Sequence, residues 1–218
     1  MTTRRAFLGL LAGAPLAACQ SFKSADLNPA VQNEADFDRW YIGSRPDGGF
    51  DLPLVDRSLM RPELMPQQVA WTGREGPGTI VVDIDGRFLY LVEQGGTARR
   101  YGVGVGRRGF SWKGMARVGR KGAWPSWTPT PNMVRMKIAP AGGLPSGPDN
   151  PLGARALYLY QGNRDILFRI HGTNEPWSIG EQVSSGCIRM LNEDIVDLYD
   201  RVPVGSTVIV RRNGPSHA

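Results

Sequence analysis

From Thr79 onward the chain is a succession of short β-branched and aromatic runs, each closed after a few residues by glycine, aspartate or proline. Thr79–Ile84 and Arg87–Val92 are two such runs, joined by Asp85-Gly86, a pair favoured in two-residue hairpin turns. Ala98–Val105 follows Gly95-Gly96, Ala156–Tyr160 and Ile166–His171 flank a turn at Gln161–Asp165, and Thr207–Arg211 is a last run. Runs this short cannot carry an amphipathic helical face, so they bury their apolar atoms by pairing edge to edge in a sheet. The 28 glycines and 17 prolines point the same way, because both interrupt helices. Asn192–Val202 is the one convincing helical pattern. Asn192 stands at its cap, Glu193 and Asp194 suit the positive end of its dipole, and Ile195, Leu198, Tyr199 and Val202 share a face before Pro203 and Gly205. The expectation is a mostly β domain with one helix near its end.

The amino terminus reads as an address. Arg4-Arg5 precedes an apolar run from Ala6 to Ala18, too short to span a bilayer, which needs about 20 apolar residues. Thr3-Arg4-Arg5-Ala6-Phe7-Leu8 resembles a twin-arginine export signal, and Leu16-Ala17-Ala18-Cys19 resembles a bacterial lipobox. Together they imply export of residues 19 onward to the periplasm, with a lipid anchor at Cys19. Residues 19–76 read as a tether that becomes partly ordered against the domain. Ala35–Ile42 suggests a short helical turn there, and Arg45–Pro53 and Arg61–Pro66 look irregular. Residues 106–151 form a loop-rich stretch with Trp112, Trp124 and Trp127, whose rings suit either a cleft wall or a buried pin. Residues 77–212 are the expected domain and 213–218 a tail.

Charge and the scarce residues exclude several functions. A formal charge of +6 and a pI near 9.7 suit nucleic acid, a membrane surface or an anionic wall. Removing Arg4 and Arg5 with the signal lowers the charge to +4, and an exported protein rarely meets nucleic acid, so none is expected as a partner. Cys19, Cys187, His171 and His217 are the only cysteines and histidines, and a zinc site would consume nearly all of them. No metal and no cofactor are expected. With Cys19 outside the domain, no intramolecular disulfide can form. Gly104-Val105-Gly106-Arg107-Arg108-Gly109 has the spacing of a dinucleotide loop, but no helix pattern follows and the next acidic residue is Asp149. Glu193, Asp194, Asp197 and Asp200 read as solvated charges on the helix.

The remaining cysteine lies in Ser184-Ser185-Gly186-Cys187-Ile188-Arg189-Met190, sixteen residues beyond the histidine of Ile170-His171-Gly172-Thr173-Asn174. A thiol becomes a nucleophile near neutral pH when an imidazole takes or shares its proton. His217 is penultimate, in a polar tail, so an imidazole partner for Cys187 should be His171. A thiolate paired with imidazolium would then react below the free-thiol pKa of about 8.5. Gly186 permits a tight turn, and the Gly186 and Cys187 amides could face a developing oxyanion. The same residues also suit a buried structural cysteine and a hydrogen-bonded core histidine. Spacing alone does not choose between the two.

The stretch from Pro77 to Arg212 resembles the L,D-transpeptidase catalytic domain, the YkuD-like family. The likeness rests on His171-Gly172-Thr173 and Ser184-Ser185-Gly186-Cys187-Ile188-Arg189. Supporting it are Pro77-Gly78-Thr79-Ile80-Val81-Val82, Asn150-Pro151-Leu152-Gly153 and Val204-Gly205-Ser206-Thr207-Val208. It implies a β-sandwich-like fold and a cysteine that attacks the third residue of a peptidoglycan tetrapeptide stem, releasing D-alanine. An amine on another stem, or on an outer-membrane protein, then resolves the thioester. By the same resemblance Cys187 is the nucleophile, His171 the base, and Gly172 the carbonyl that orients it. Gly186 and Cys187 supply the oxyanion amides, Arg189 is a structural or substrate-carboxylate contact, and Ser185 and Trp177 contact substrate. Many relatives have histidine where this chain has Ser185. Two competing readings stand beside this one: an L,D-carboxypeptidase or hydrolase in which water resolves the thioester, and a non-catalytic lipoprotein tethering membrane to wall.

Overall fold

The computed structural model describes residues 38–107, 112–129, 134–135, 142–184 and 186–212. The export signal, Cys19, Ser185, His217 and the tail lie outside them. Among the described residues, the first strands form a hairpin of β1 (Tyr41–Asp47) and β2 (Phe50–Val55). Then come β3 (Gln67–Ala70), β4 (Ile80–Asp83), β5 (Phe88–Val92), β6 (Thr97–Gly102), β7 (Val105–Gly106), β8 (Gly114–Ala123), β9 (Arg155–Gln161) and β10 (Arg164–His171). β11 (Gln182–Ser184), β12 (Ile188–Arg189), α1 (Asn192–Arg201) and β13 (Thr207–Arg211) complete it. Nine strands form one sheet in the order β12-β10-β9-β8-β13-β4-β5-β6-β3. Its β12 edge is bridged to the opposite half, because Gly104, just after β6, exchanges both backbone hydrogen bonds with Arg189 of β12 at 2.9 and 2.8 Å. The sheet therefore folds over a shared core. Ile80, Leu89 and Tyr101 from one half touch the same buried cluster as Leu157, Ile170, Ile188 and, from α1, Ile195 and Leu198. This is the mostly β, sandwich-like fold expected, with α1 after the cysteine motif.

Local readings depart from the sequence expectation where side chains replace backbone signals. Asp85-Gly86 is not a two-residue turn. Asp83 pairs with Phe88, leaving a four-residue loop in which Asp83 Oδ1 accepts the Asp85 and Gly86 amides, both at 3.1 Å. β8 runs through part of the stretch read as loop. Its alternation is hidden because only Ala116 and Val118 are buried, while Arg117, Arg120 and Lys121 lie over the rings of Tyr160, Tyr158 and Tyr199. Gly119 is required there, since the Tyr160 ring sits 2.2 Å from where its Cβ would be. Asn192 does not cap α1. Leu191 occupies the cap position and the Asn192 side chain turns inward.

Within the stretch read as a tether, Arg45–Pro53 is a hairpin rather than irregular, and Tyr41 and Ile42 are strand rather than helix. β1 is mostly exposed, so it carries no alternation for a sequence reading to detect. Asp47 holds the hairpin by accepting both Arg155 Nη groups at 2.7 Å and Trp124 Nε1 at 2.9 Å. Two carboxylates of α1 read as solvated also serve as anchors: Asp194 is buried against Arg57 at 2.6 Å, and Glu193 accepts the Val55 amide at 3.0 Å. Met60 and Leu64 pack with Ile179 and Leu191, and Trp71 with Val81 and Tyr90, where β3 lies along the edge of β6.

Candidate active site

The site grows from the register of two short parallel strands. Ile170 of β10 lies opposite Ile188 of β12, and His171 opposite Arg189. Side chains alternate along a strand, so Ile170 and Ile188 enter the core while Arg169, His171 and Arg189 face the other way. Cys187 immediately precedes β12 and falls beside Arg169, whose backbone amide favours its thiolate. A cleft of about 990 Å³ opens on this face and is lined by Cys187, His171, Arg169, Arg189, Glu175 and Trp127, among others. The structure thus brings together the cysteine and histidine that sequence paired by elimination.

The imidazole has one orientation with chemical meaning. His171 Nδ1 lies 2.5 Å from the Gly172 carbonyl, which can only accept, so Nδ1 carries the proton and Nε2 keeps a free lone pair. Burial pushes the His171 pKa down to about 3, helped by the Arg189 and Arg169 charges and opposed by the Gly172 carbonyl. Burial also raises the Cys187 thiol, against the Arg169 amide and the two arginines. Both shifts favour neutral partners. They weigh against the thiolate–imidazolium pair expected from sequence, because burial opposes either charge more than the nearby donors favour it.

The nucleophile turn is closed by Ser184, whose Oγ donates to the Cys187 carbonyl at 2.6 Å and accepts the Gly186 amide at 3.1 Å. Gly186, at φ 133°, adopts a conformation that suits glycine. Its amide is therefore occupied, and of the two expected oxyanion donors the Cys187 amide is the one left to serve. Behind the histidine, Asn192 Oδ1 accepts the Ala154 amide at 3.0 Å and Nδ2 donates to the Thr173 carbonyl at 2.9 Å. A Cβ on Gly172 would lie 2.2 Å from that Oδ1, so glycine lets the carbonyl reach the ring.

Two of the expected substrate contacts need correction or rest elsewhere. Arg189 lines the cleft, but its guanidinium is ion-paired with Glu175. Trp177 is not part of the cleft wall: it follows Pro176 in a 3-10 turn and its ring lies 6.2 Å from that of Trp40. Ser185 lies outside the described residues. Sequence reasoning missed Arg169, Glu175 and Asp149, all in the wall. Arg169 was within reach, since two residues before His171 on a strand is the same face. The Trp127 ring resolves as wall and Trp124 as buried pin.

Residues 77–210 match the YkuD family, the L,D-transpeptidase catalytic domain. The probable L,D-transpeptidase ErfK/SrfK of Escherichia coli K12 is 38% identical over 153 residues, which is 66% of this chain and 47% of the relative. Its namesake in Salmonella typhimurium is 40% identical over 169 residues, covering 72% and 50%. A crystal structure described as a probable carnitine operon oxidoreductase caia from Brucella melitensis is 50% identical, with 72% and 99% coverage and a TM-score of 0.48. That superposition is too weak to carry an argument. The chain spans about half the length of the curated relatives it matches. Since the family match covers more than half of the chain, the protein belongs to the YkuD family of L,D-transpeptidase catalytic domains.

Proposed function

We propose that the protein is a cysteine-dependent L,D-transpeptidase that acts on peptidoglycan stem peptides in the periplasm, held there by a lipid at Cys19. One observation carries the reading: Cys187 and His171 open on one cleft, with His171 Nδ1 committed to the Gly172 carbonyl and Nε2 left as a base. In the first step Cys187 Sγ bonds to the carbonyl carbon of the third stem residue while its proton passes to His171 Nε2. The Cys187 amide meets the oxyanion, a contact commonly worth about 2.7–4 kcal/mol. The carbon–nitrogen bond then breaks, D-alanine leaves with the proton from Nε2, and a thioester remains. An acceptor amine attacks that thioester, gives a proton back through Nε2, and frees the thiol. Neutral starting partners suit this sequence, because the proton moves as the bond forms.

The test is mass spectrometry of a tetrapeptide stem fragment incubated with the protein, with and without a diamino acid amine. D-alanine release and an amine-linked product are expected, and Cys187→Ala abolishes both. Tripeptide without a linked product would make the protein a carboxypeptidase. Full release by Cys187→Ala would refute the nucleophile, and no release by wild type would favour a tether.

A further inference from the structure

β10 falls out of step with β9 just before the site. Asp165 pairs with Tyr160 and Arg169 with Tyr158, so four steps along β10 match two along β9. The surplus places Leu167 in the left-handed region at φ 62°, a conformation that disfavours any residue with a Cβ. The core returns nothing for it. Ile166 and Phe168 pack against the main cluster, whereas Leu167 is 68% exposed. Asp165 holds the distortion in place: Oδ1 accepts the Leu167 amide at 2.8 Å, and the carboxylate takes both Arg169 Nη groups at 2.7 and 2.9 Å. This clasp keeps an apolar side chain in the wall of the cleft that holds Cys187 and His171. Strain maintained by its surroundings at a cleft is a mark of a functional position.

We propose that Leu167 is a specificity-determining residue: it supplies the apolar contact for the aliphatic part of the acyl donor. The proposal rests on the transpeptidase reading above. Leu167 stands two residues from Arg169, whose amide faces the sulfur, and on the strand that ends at His171. The group that becomes bonded to sulfur is the donor, and Leu167 shares the cleft with that sulfur, so its side chain is within the donor's wall of the site.

Leu167→Gly tests it without threatening the fold, since glycine is at home at this φ. In D-alanine release at saturating acceptor amine, the KM for the tetrapeptide should rise about tenfold, as for a lost apolar pocket contact. The melting temperature should hold or rise, kcat should stay within about twofold, and Leu167→Met should restore KM. A wild-type KM in Leu167→Gly overturns the proposal, as does an effect confined to the KM of the acceptor amine. Tetrapeptide binding to Cys187→Ala, with and without Leu167→Gly, separates this contact from the reaction. Equal binding refutes Leu167. Binding weakened about tenfold in a protein whose Cys187 form releases no D-alanine keeps Leu167 and refutes the activity.

Discussion

Asn192→Ala removes one side chain that ties three parts of the site together. The Asn192 amide joins the start of α1 to the Ala154 amide before β9 and to the Thr173 carbonyl two residues beyond the base. Asn192 is 3% exposed, so water does not replace it freely. An alanine would leave one buried donor and one buried acceptor unpaired, each costing about 1–3 kcal/mol, for a total of about 2–6 kcal/mol. In a chain of this size that corresponds to a fall of about 4–24 °C in melting temperature. The loop carrying the Gly172 carbonyl would loosen with it, so the surviving folded protein should also turn over more slowly. Asn192→Asp sharpens the test. A carboxylate still accepts from Ala154 but cannot donate to Thr173, so destabilisation at pH 7 should match or exceed that of alanine and lessen as acid restores an O–H. Urea titration and calorimetry at pH 7 and pH 4 measure this. A loss below about 1 kcal/mol for Asn192→Ala would refute the claim that this amide braces the site.

Five further outcomes are open to measurement. Iodoacetamide should modify Cys187 with a rate that rises through and beyond the ordinary thiol range, because burial pushes the thiol up. His171→Ala should abolish turnover while leaving the alkaline limb of that profile in place, and a plateau below pH 7 would restore the ion-pair reading. Burial lifts the Asp194 carboxyl to about 6 against the pull of Arg57, so folding favours its protonated form. The wild-type advantage over Asp194→Asn should therefore grow as pH falls from 6 towards the unfolded value of about 3.9, and a flat difference in urea titrations would contradict it. A chain of residues 77–218 uncovers Leu191, Ile179 and Tyr90 and frees the β6 edge, so it should melt earlier than the full chain and bind a hydrophobic dye; identical melting would show that 38–76 adds nothing. Cys19→Ala should remove a diacylglycerol mass from protein recovered from membranes, and an unlipidated native Cys19 would end the anchor proposal.

Composition and local pattern determined the fold class. β4, β5, β9, β10, β13 and α1 each have a sequence run close to their observed bounds, because each buries an apolar face that its own residues announce. Elimination among two histidines and two cysteines also singled out Cys187 and His171, which line one cleft. The tertiary structure alone decided what neighbours do to those residues. β1 and β8 are strands whose polar atoms are answered by distant partners such as Arg155 and Tyr158, so no local alternation marks them. Asn192, read as a cap, is a brace, because its partners at Ala154 and Thr173 are far away along the chain. Trp177 was assigned to substrate and instead meets Trp40. Burial pushes the Cys187 thiol up and the His171 imidazole down, and burial is a property of the whole packed molecule rather than of a seventeen-residue span. Chemistry-bearing residue types are local and legible, whereas solvation, register and the direction of a side chain come from contacts that close only when the sheet folds over its core.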